Sequence, residues 1–550
     1  MKRNKKIVAL LVAVSLMTGG MAACGKGKNG SLESTVKQTT SEVQKTGQTA
    51  EGEVFTYPMA GDNEITVYQV LKANVSANFA NRGDTEWAKG IIERTGIKVT
   101  WEHGATADDY NMMLASGDWC DIIADTNLLN YKGGPEQAFA DGFALPLNDI
   151  IEEYCPNLKA YLEANPDVDK AMKTDSGHYY CFPSVSSSSS ANTCGAYIRK
   201  DWLEKLNLKV PDTIDEWHDV LLAFKEELGI SAPYSETMGN LLAQSAFAYA
   251  FGVAANNGRR LMMNGEQVIF APITDNYKAF LTTMNQWYKE GLLDTDIAAI
   301  NSASVSAKMI SGDAGATTAW LVSGLQATQI AGEEQNPDFK LTAVAVPRVE
   351  ADVPQTHALT SYKFTGSGNF ITGSCKNIEA AARFLDWQYS EEGILYNNFG
   401  VEGVSYNMVD GKPVYTDDVL YNYPEGWTLG QSIAKYALGA NASLVTMDEY
   451  YLQTLVRDEA REGSAIWSAA AENALQYVVP PVTLNEEESE IVGKYAADIL
   501  TAVNEMSIKF ILGTEDIEEA WDSYIEMIKG MHVDEVVSAY QAAVDRYMAR

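Results

Sequence analysis

From Glu64 onward, short apolar runs alternate with stretches of helical periodicity, and this alternation is the strongest constraint on how the chain can fold. A short apolar run bounded by turn residues fits a buried strand, whereas apolar positions three and four apart line one face of a helix. Strands and helices in alternation predict an α/β fold, a sheet covered by helices. Residues 65–70 read as a strand. Glu86–Thr95 reads as a helix ended by Gly96, because glycine enters the left-handed conformation that stops helices. Residues 97–101 alternate as a second strand, 109–116 form a short helix, and 121–124 a buried strand. Residues 195–198, Ala314–Trp320 and 341–346 read as further strands. Thr213 and Glu216 have the spacing of a capping box, in which the hydroxyl and the carboxylate satisfy free amides at a helix start. Trp217, Val220, Leu221 and Phe224 then repeat at helical spacing. Beyond Asn377 long helices take over, at 378–385, 517–528 and 533–548.

The N-terminus is a targeting segment rather than part of the fold. Lys2, Arg3, Lys5 and Lys6 precede an apolar run, 7–17, too short to span a bilayer, and small residues follow. Met21-Ala22-Ala23-Cys24 resembles a bacterial lipobox, although Met21 stands where leucine is usual. The resemblance implies a signal peptide over 1–23 and lipidation of Cys24. The other reading is an ordinary signal peptide cut nearby, with Cys24 incidental. Residues 24–54, rich in Gly, Ser, Thr, Gln and Lys, bury too little apolar surface to fold and read as a disordered tether. Such a coil spans on the order of 30 Å.

Composition narrows the function. A formal charge of −33 excludes nucleic acid as a natural partner, because phosphate binding needs clustered Lys and Arg. Beyond Cys24 five cysteines remain at irregular spacing, which is neither a disulfide framework nor a zinc signature. Cys181 and Cys194 either pair, if two strands bring them together, or are buried thiols. The five histidines show no metal-ligand spacing.

Three segments then carry a family likeness. The first runs Thr95-Gly96-Ile97-Lys98-Val99-Thr100-Trp101-Glu102-His103 and continues at Ala115-Ser116-Gly117-Asp118-Trp119-Cys120-Asp121-Ile122-Ile123. The second is 197–203 with 210–217, and the third 382–393 with Gly400-Val401-Glu402-Gly403. Together they resemble family 1 extracellular solute-binding proteins, in the branch of maltose- and alginate-binding lipoproteins. The resemblance implies an α/β, two-lobed, periplasmic-binding-protein-like (type II) clamshell with extra C-terminal helices. Lobe one is expected over 55–184 plus 340–374, and lobe two over 185–339 plus 375–550. Residues 183–190 are expected at one crossing between lobes. It further implies a monomer on the extracellular face of the cytoplasmic membrane, held by N-terminal lipid, that passes a carbohydrate, by family habit an oligosaccharide, to ABC transporter permease subunits. Many relatives carry a calcium loop after the capped helix. Here the chain runs Phe224-Lys225-Glu226-Glu227-Leu228-Gly229-Ile230-Ser231 and lacks the alternating oxygen ligands, so no calcium is expected there and no metal or cofactor elsewhere.

Sugars present apolar ring faces and hydroxyls, so their sites combine aromatic platforms with paired polar groups. Trp320 is the leading platform, because relatives place a cleft tryptophan there; the alternative is a core residue. Asp125, Thr126 and Asn127 follow a strand whose C-terminal end should face the crevice, with helix capping as the alternative. Asn81, Arg82 and Asp84 follow the first strand by the same logic. Glu402 and Tyr406 lie in a glycine-bounded loop that relatives place near the cleft. Trp427 and Trp467 are further candidate platforms, with structural packing the favoured role for each. Trp87, Trp202, Trp217, Trp387 and Trp521 fall in helical patterns and are expected in the core. A surface glycosidase or lyase is the rival class; its paired carboxylates cannot be singled out among 74 acidic residues. The chain carries no His-Glu-x-x-His, no Gly-x-Ser-x-Gly elbow and no phosphate loop. The same fold carrying a peptide, or serving as an adhesin or sensor, is the other alternative.

Overall fold

The computed structural model describes residues 46–48, 54–104, 107–186, 193–243, 245–254, 258–439, 443–471 and 473–550. Cys24 and the expected signal peptide lie outside these residues.

Two sheets organise the chain. The larger has six strands in the order Val445–Thr446, Phe182–Ser186, Phe364–Ile371, Ile122–Asn127, Asn63–Tyr68, Ile97–Glu102. Asn63–Tyr68 runs parallel to both its neighbours, and Phe364–Ile371 runs antiparallel to Ile122–Asn127 and to Phe182–Ser186. The smaller sheet has the order Leu341–Ala343, Cys194–Arg199, Ala314–Trp320, Ala232–Tyr234, with only the last pair parallel. Cys194–Arg199 is buried along its whole length, as a central strand flanked on both edges and covered on both faces must be. The architecture is α/β, as the alternation predicts, and is built around two sheets, in keeping with the two lobes that the resemblance implies.

Helix ends follow the local chemistry. Thr85 caps Glu86–Thr95 by accepting from the Ala88 amide, and Gly96 closes it at φ 70°. A Cβ on Gly96 would lie 2.3 Å from the Met59 carbonyl oxygen, so both conformation and space demand glycine. Thr213 and Glu216 form the expected capping box on Ile214–Leu228, and Gly229 ends that helix at φ 73°. The strand Ala232–Tyr234 begins three residues later, so no loop long enough for a calcium site separates them.

The expected division into lobes needs three corrections. Leu341–Ala343 pairs with Cys194–Arg199 and belongs to the smaller sheet, not to lobe one. Residues 375–446 are expected on lobe two, yet Ile378–Trp387 packs against the larger sheet and Val445–Thr446 joins its edge. Asp386 shows the attachment: it accepts from the Leu158 amide at 2.8 Å and from Asn157 Nδ2 at 2.7 Å. Helical periodicity identifies a helix but not the sheet it covers. The tether is also shorter than 24–54, since Thr46–Gln48 pairs antiparallel with Val54–Thr56. Tyr57 then fixes this segment by donating to the Arg383 carbonyl at 2.8 Å. The expected crossing at 183–190 begins inside a strand, Phe182–Ser186, and its remainder lies outside the described residues.

The C-terminal helices tie the two halves together. Glu486–Leu512 packs along Asp275–Lys289 and along Val533–Ala549. From that last helix Gln541 accepts from the Val268 amide at 2.7 Å, while Arg546 donates to Glu488 through two bonds of 2.6 Å and to Asp175 at 2.5 Å. No disulfide joins Cys181 and Cys194. Among the described residues no helix is long and apolar enough to cross a membrane.

Candidate functional site

A cavity of about 470 Å³ opens where strand ends of both sheets meet two C-terminal helices. The larger sheet contributes Ser186 and Thr446, the smaller Trp320, and Leu429–Tyr436 and Asp448–Thr454 supply Ile433, Tyr450 and Tyr451. This volume lies within the range of small-molecule sites. Trp320 ends its strand with 45% of its surface exposed, the mark of a ring held for contact rather than packed in a core. A π-helical turn, Leu321–Gln326, follows immediately and is anchored by the Leu321 amide donating to the Thr193 carbonyl at 2.8 Å. Such turns are uncommon and cluster at functional sites.

The smaller sheet adds a polar recess beside Trp320, a cavity of about 160 Å³. Tyr234 and Thr318 lie on adjacent parallel strands, and their hydroxyls are 2.8 Å apart. The Tyr234 hydroxyl donates to Glu236 Oε2 at 2.5 Å. Glu236 is buried, and burial pushes its carboxyl up to about 8. Its Oε1 has no hydrogen-bond partner among the described residues.

On the opposite side of the cavity Arg82 is buried against a recess of about 40 Å³ that also includes Lys72. Burial pushes the Arg82 guanidinium down to about 10, with the nearby Asp125 carboxylate opposing the change. Asp125 pairs with Lys72 and takes a left-handed conformation at φ 56°, rare for a non-glycine residue. Its amide donates to Asn369 Oδ1 at 2.8 Å, which fixes this strand end against the neighbouring strand.

Asn127 lines a second cavity of about 430 Å³, and its Oδ1 also accepts from the Leu129 amide at 2.9 Å, so the capping role is real. Thr126 is half-buried and shares a hydrogen bond with the Tyr110 hydroxyl. Asn81 is used structurally: Oδ1 accepts from the Gly83 amide at 2.7 Å and Nδ2 donates to the Trp101 carbonyl at 3.1 Å. Asp84 and Glu402 are exposed and line none of these cavities. Tyr406 is buried in a small apolar cluster with Phe399 and Tyr415, which removes it from solvent contact. Trp427 is half-buried, edge-on to Phe79, in the turn before the helix that lines the main cavity. Trp467 is fully buried and donates to the Val344 carbonyl at 2.9 Å, so packing is its role. Trp87, Trp217, Trp387 and Trp521 are buried as expected, and Trp202 is half-buried beneath the Arg199 guanidinium. Sequence reasoning missed Glu236, Tyr450 and Tyr451. The adjacent tyrosines were a visible signal, whereas Glu236 had none among so many acidic residues.

The site is framed by polar hydroxyls and aromatic rings, with no group of three or more metal-binding side chains among the described residues. Residues 69–394 match the family model for bacterial extracellular solute-binding proteins. The fructooligosaccharide ABC transporter substrate-binding protein FusA of Streptococcus pneumoniae is 25% identical over 84% of this chain and 86% of its own. The polygalacturonan/rhamnogalacturonan-binding protein YtcQ of Bacillus subtilis is 24% identical over 58% of this chain and 63% of its own. The structure of the alginate-binding protein AlgQ2 without calcium ion superposes with a TM-score of 0.73 at 25% identity, covering 89% of this chain and 99% of that one. FusA in complex with kestose gives 0.70 at 20% identity over 88% and 100%. The fold is therefore the two-lobed one of periplasmic binding proteins, and the chain belongs to the bacterial extracellular solute-binding protein family.

Proposed function

We propose that this protein captures an oligosaccharide in the cavity beside Trp320 and delivers it to an ABC importer, without making or breaking a bond. The half-exposed Trp320 ring, beside hydroxyl-bearing walls, carries the reading: it offers a flat apolar face to a sugar ring while Ser186, Thr193 and Ser323 supply hydrogen bonds. The relatives' ligands, fructooligosaccharides, galacturonans and alginate, support a glycan cargo. In this reading Cys24 carries the lipid, the protein acts as a monomer at the outer face of the cytoplasmic membrane, and the chain between Cys24 and Thr46 is the tether. Closure of the lobes around the glycan commits it for transfer.

A thermal-shift and calorimetric screen tests this, using fructo-, galacturono- and alginate oligosaccharides alongside short peptides. Stoichiometric binding of one glycan class, with the glycan recovered intact, is the expected result. Binding of peptides alone, or release of shortened glycan, would sink the proposal.

A further inference from the structure

The recess beside Trp320 has features that the main cavity lacks. It shares Trp320 and Ser323 with that cavity, so the two adjoin along one wall. At its end lies Glu236, at the C-terminal ends of the parallel pair Ala232–Tyr234 and Ala314–Trp320. Strand ends of this kind are where ligands dock in α/β sheets. Thr318, Tyr234 and Glu236 form a chain of hydrogen bonds that occupies Glu236 Oε2 and leaves Oε1 unpartnered in a buried position. A buried polar atom without a partner is costly, so it is retained where something else satisfies it. No Lys or Arg among the described residues pairs with this carboxyl, which distinguishes it from Asp294, bound by Lys308 of the helix Ser302–Ser311. Burial raises the Glu236 carboxyl enough to keep it largely neutral near pH 7. A neutral carboxyl can both donate to and accept from a hydroxyl.

Resting on the carbohydrate reading above, we propose that this recess is a subsite for one end ring of the glycan, with Glu236 Oε1 bonding a ring hydroxyl and Trp320 stacking at the mouth. The recess has room on the order of five water molecules, the scale of a single ring. It would therefore set which sugar may stand at the end of the oligosaccharide, while the main cavity accepts the rest.

The test uses the full mature protein and the tightest-binding oligosaccharide of the panel, with affinity read by calorimetry. Glu236→Leu should weaken binding at least about tenfold, with thermal stability of the unliganded protein equal to or above wild type. Glu236→Gln, which keeps a donor and an acceptor, should bind close to wild type at neutral pH. Ser306→Leu narrows the same recess from the helix Ser302–Ser311 without touching Glu236, and should weaken binding similarly even if the Glu236→Leu protein fails to fold. Wild-type affinity in both leucine variants would overturn the subsite alone. A wild type that binds peptides but no oligosaccharide would overturn the carbohydrate reading and the subsite with it. Binding confined to amino sugars would overturn the hydroxyl assignment.

Discussion

The Trp87 indole donates to Asn397 Oδ1 at 3.0 Å, joining an early helix to one more than 300 residues later in the same lobe. Both side chains are buried, so neither can exchange this bond for water. Asn397→Leu leaves the indole N–H unsatisfied and should cost about 1–3 kcal/mol. Urea unfolding reads the loss, and glycan affinity of the folded fraction should stay at the wild-type level.

Gly195 faces Trp467 in the smaller sheet. A Cβ there would lie 2.4 Å from the indole ring, which is fully buried and held by its bond to the Val344 carbonyl. Gly195→Ala should therefore destabilise by about 1–3 kcal/mol through overpacking. A double variant with Trp467→Phe should recover part of that loss, whereas additive losses would show that the two sites do not interact.

Trp320→Ala should weaken glycan binding at least about tenfold if the proposed function holds, because the half-exposed ring is then a platform for the glycan and adds little to the core. Its effect on melting temperature should be small. A large fall in melting temperature with unchanged affinity would place the ring in the core instead.

Glu236 gives the stability a pH dependence of known sign. Its carboxyl stands at about 8 when folded and near the ordinary value of 4.5 when unfolded, so the folded state holds the proton more tightly. Stability from this group is complete at low pH and is lost as pH rises from about 4.5 to about 8, by a few kcal/mol in order of magnitude. The groups facing it, Tyr234, Tyr197 and Cys194, are all pushed up by burial and do not titrate in that window. Asp386, raised to about 7 by burial, adds a slope of the same sign. The wild-type minus Glu236→Gln difference in unfolding free energy, measured from pH 5 to pH 8, isolates the Glu236 part. An unchanged slope would refute it.

Calcium should leave the protein unaffected. Gly229 turns the helix Ile214–Leu228 directly into the strand Ala232–Tyr234, without a ligand loop between them. Melting temperatures in excess chelator and in millimolar calcium should coincide.

Local order in this chain was written locally. Thr213 with Glu216, and Gly96 after Thr95, marked helix ends from their own hydrogen-bonding and conformational chemistry, and the apolar run Ile122-Ile123-Ala124 marked a buried strand. The strand Phe364–Ile371, central in the larger sheet, escaped notice because its Thr, Gly, Ser and Asn residues weaken the alternation that marks strands. Which sheet claims Leu341–Ala343, and which lobe Ile378–Trp387 covers, depended on partners more than a hundred residues away, in Cys194–Arg199 and Asn63–Tyr68. Periodicity says that a face is apolar but not what it meets. The candidate site divided in the same way: Trp320 was legible because its position in a family pattern is local, whereas Glu236 became distinct only when folding buried it with one oxygen unanswered. Sequence alone determined the elements and their apolar faces, because those follow from neighbouring residues. Tertiary structure alone decided the partners and the chemistry of the buried groups, because desolvation and distant contacts exist only once the chain has closed on itself.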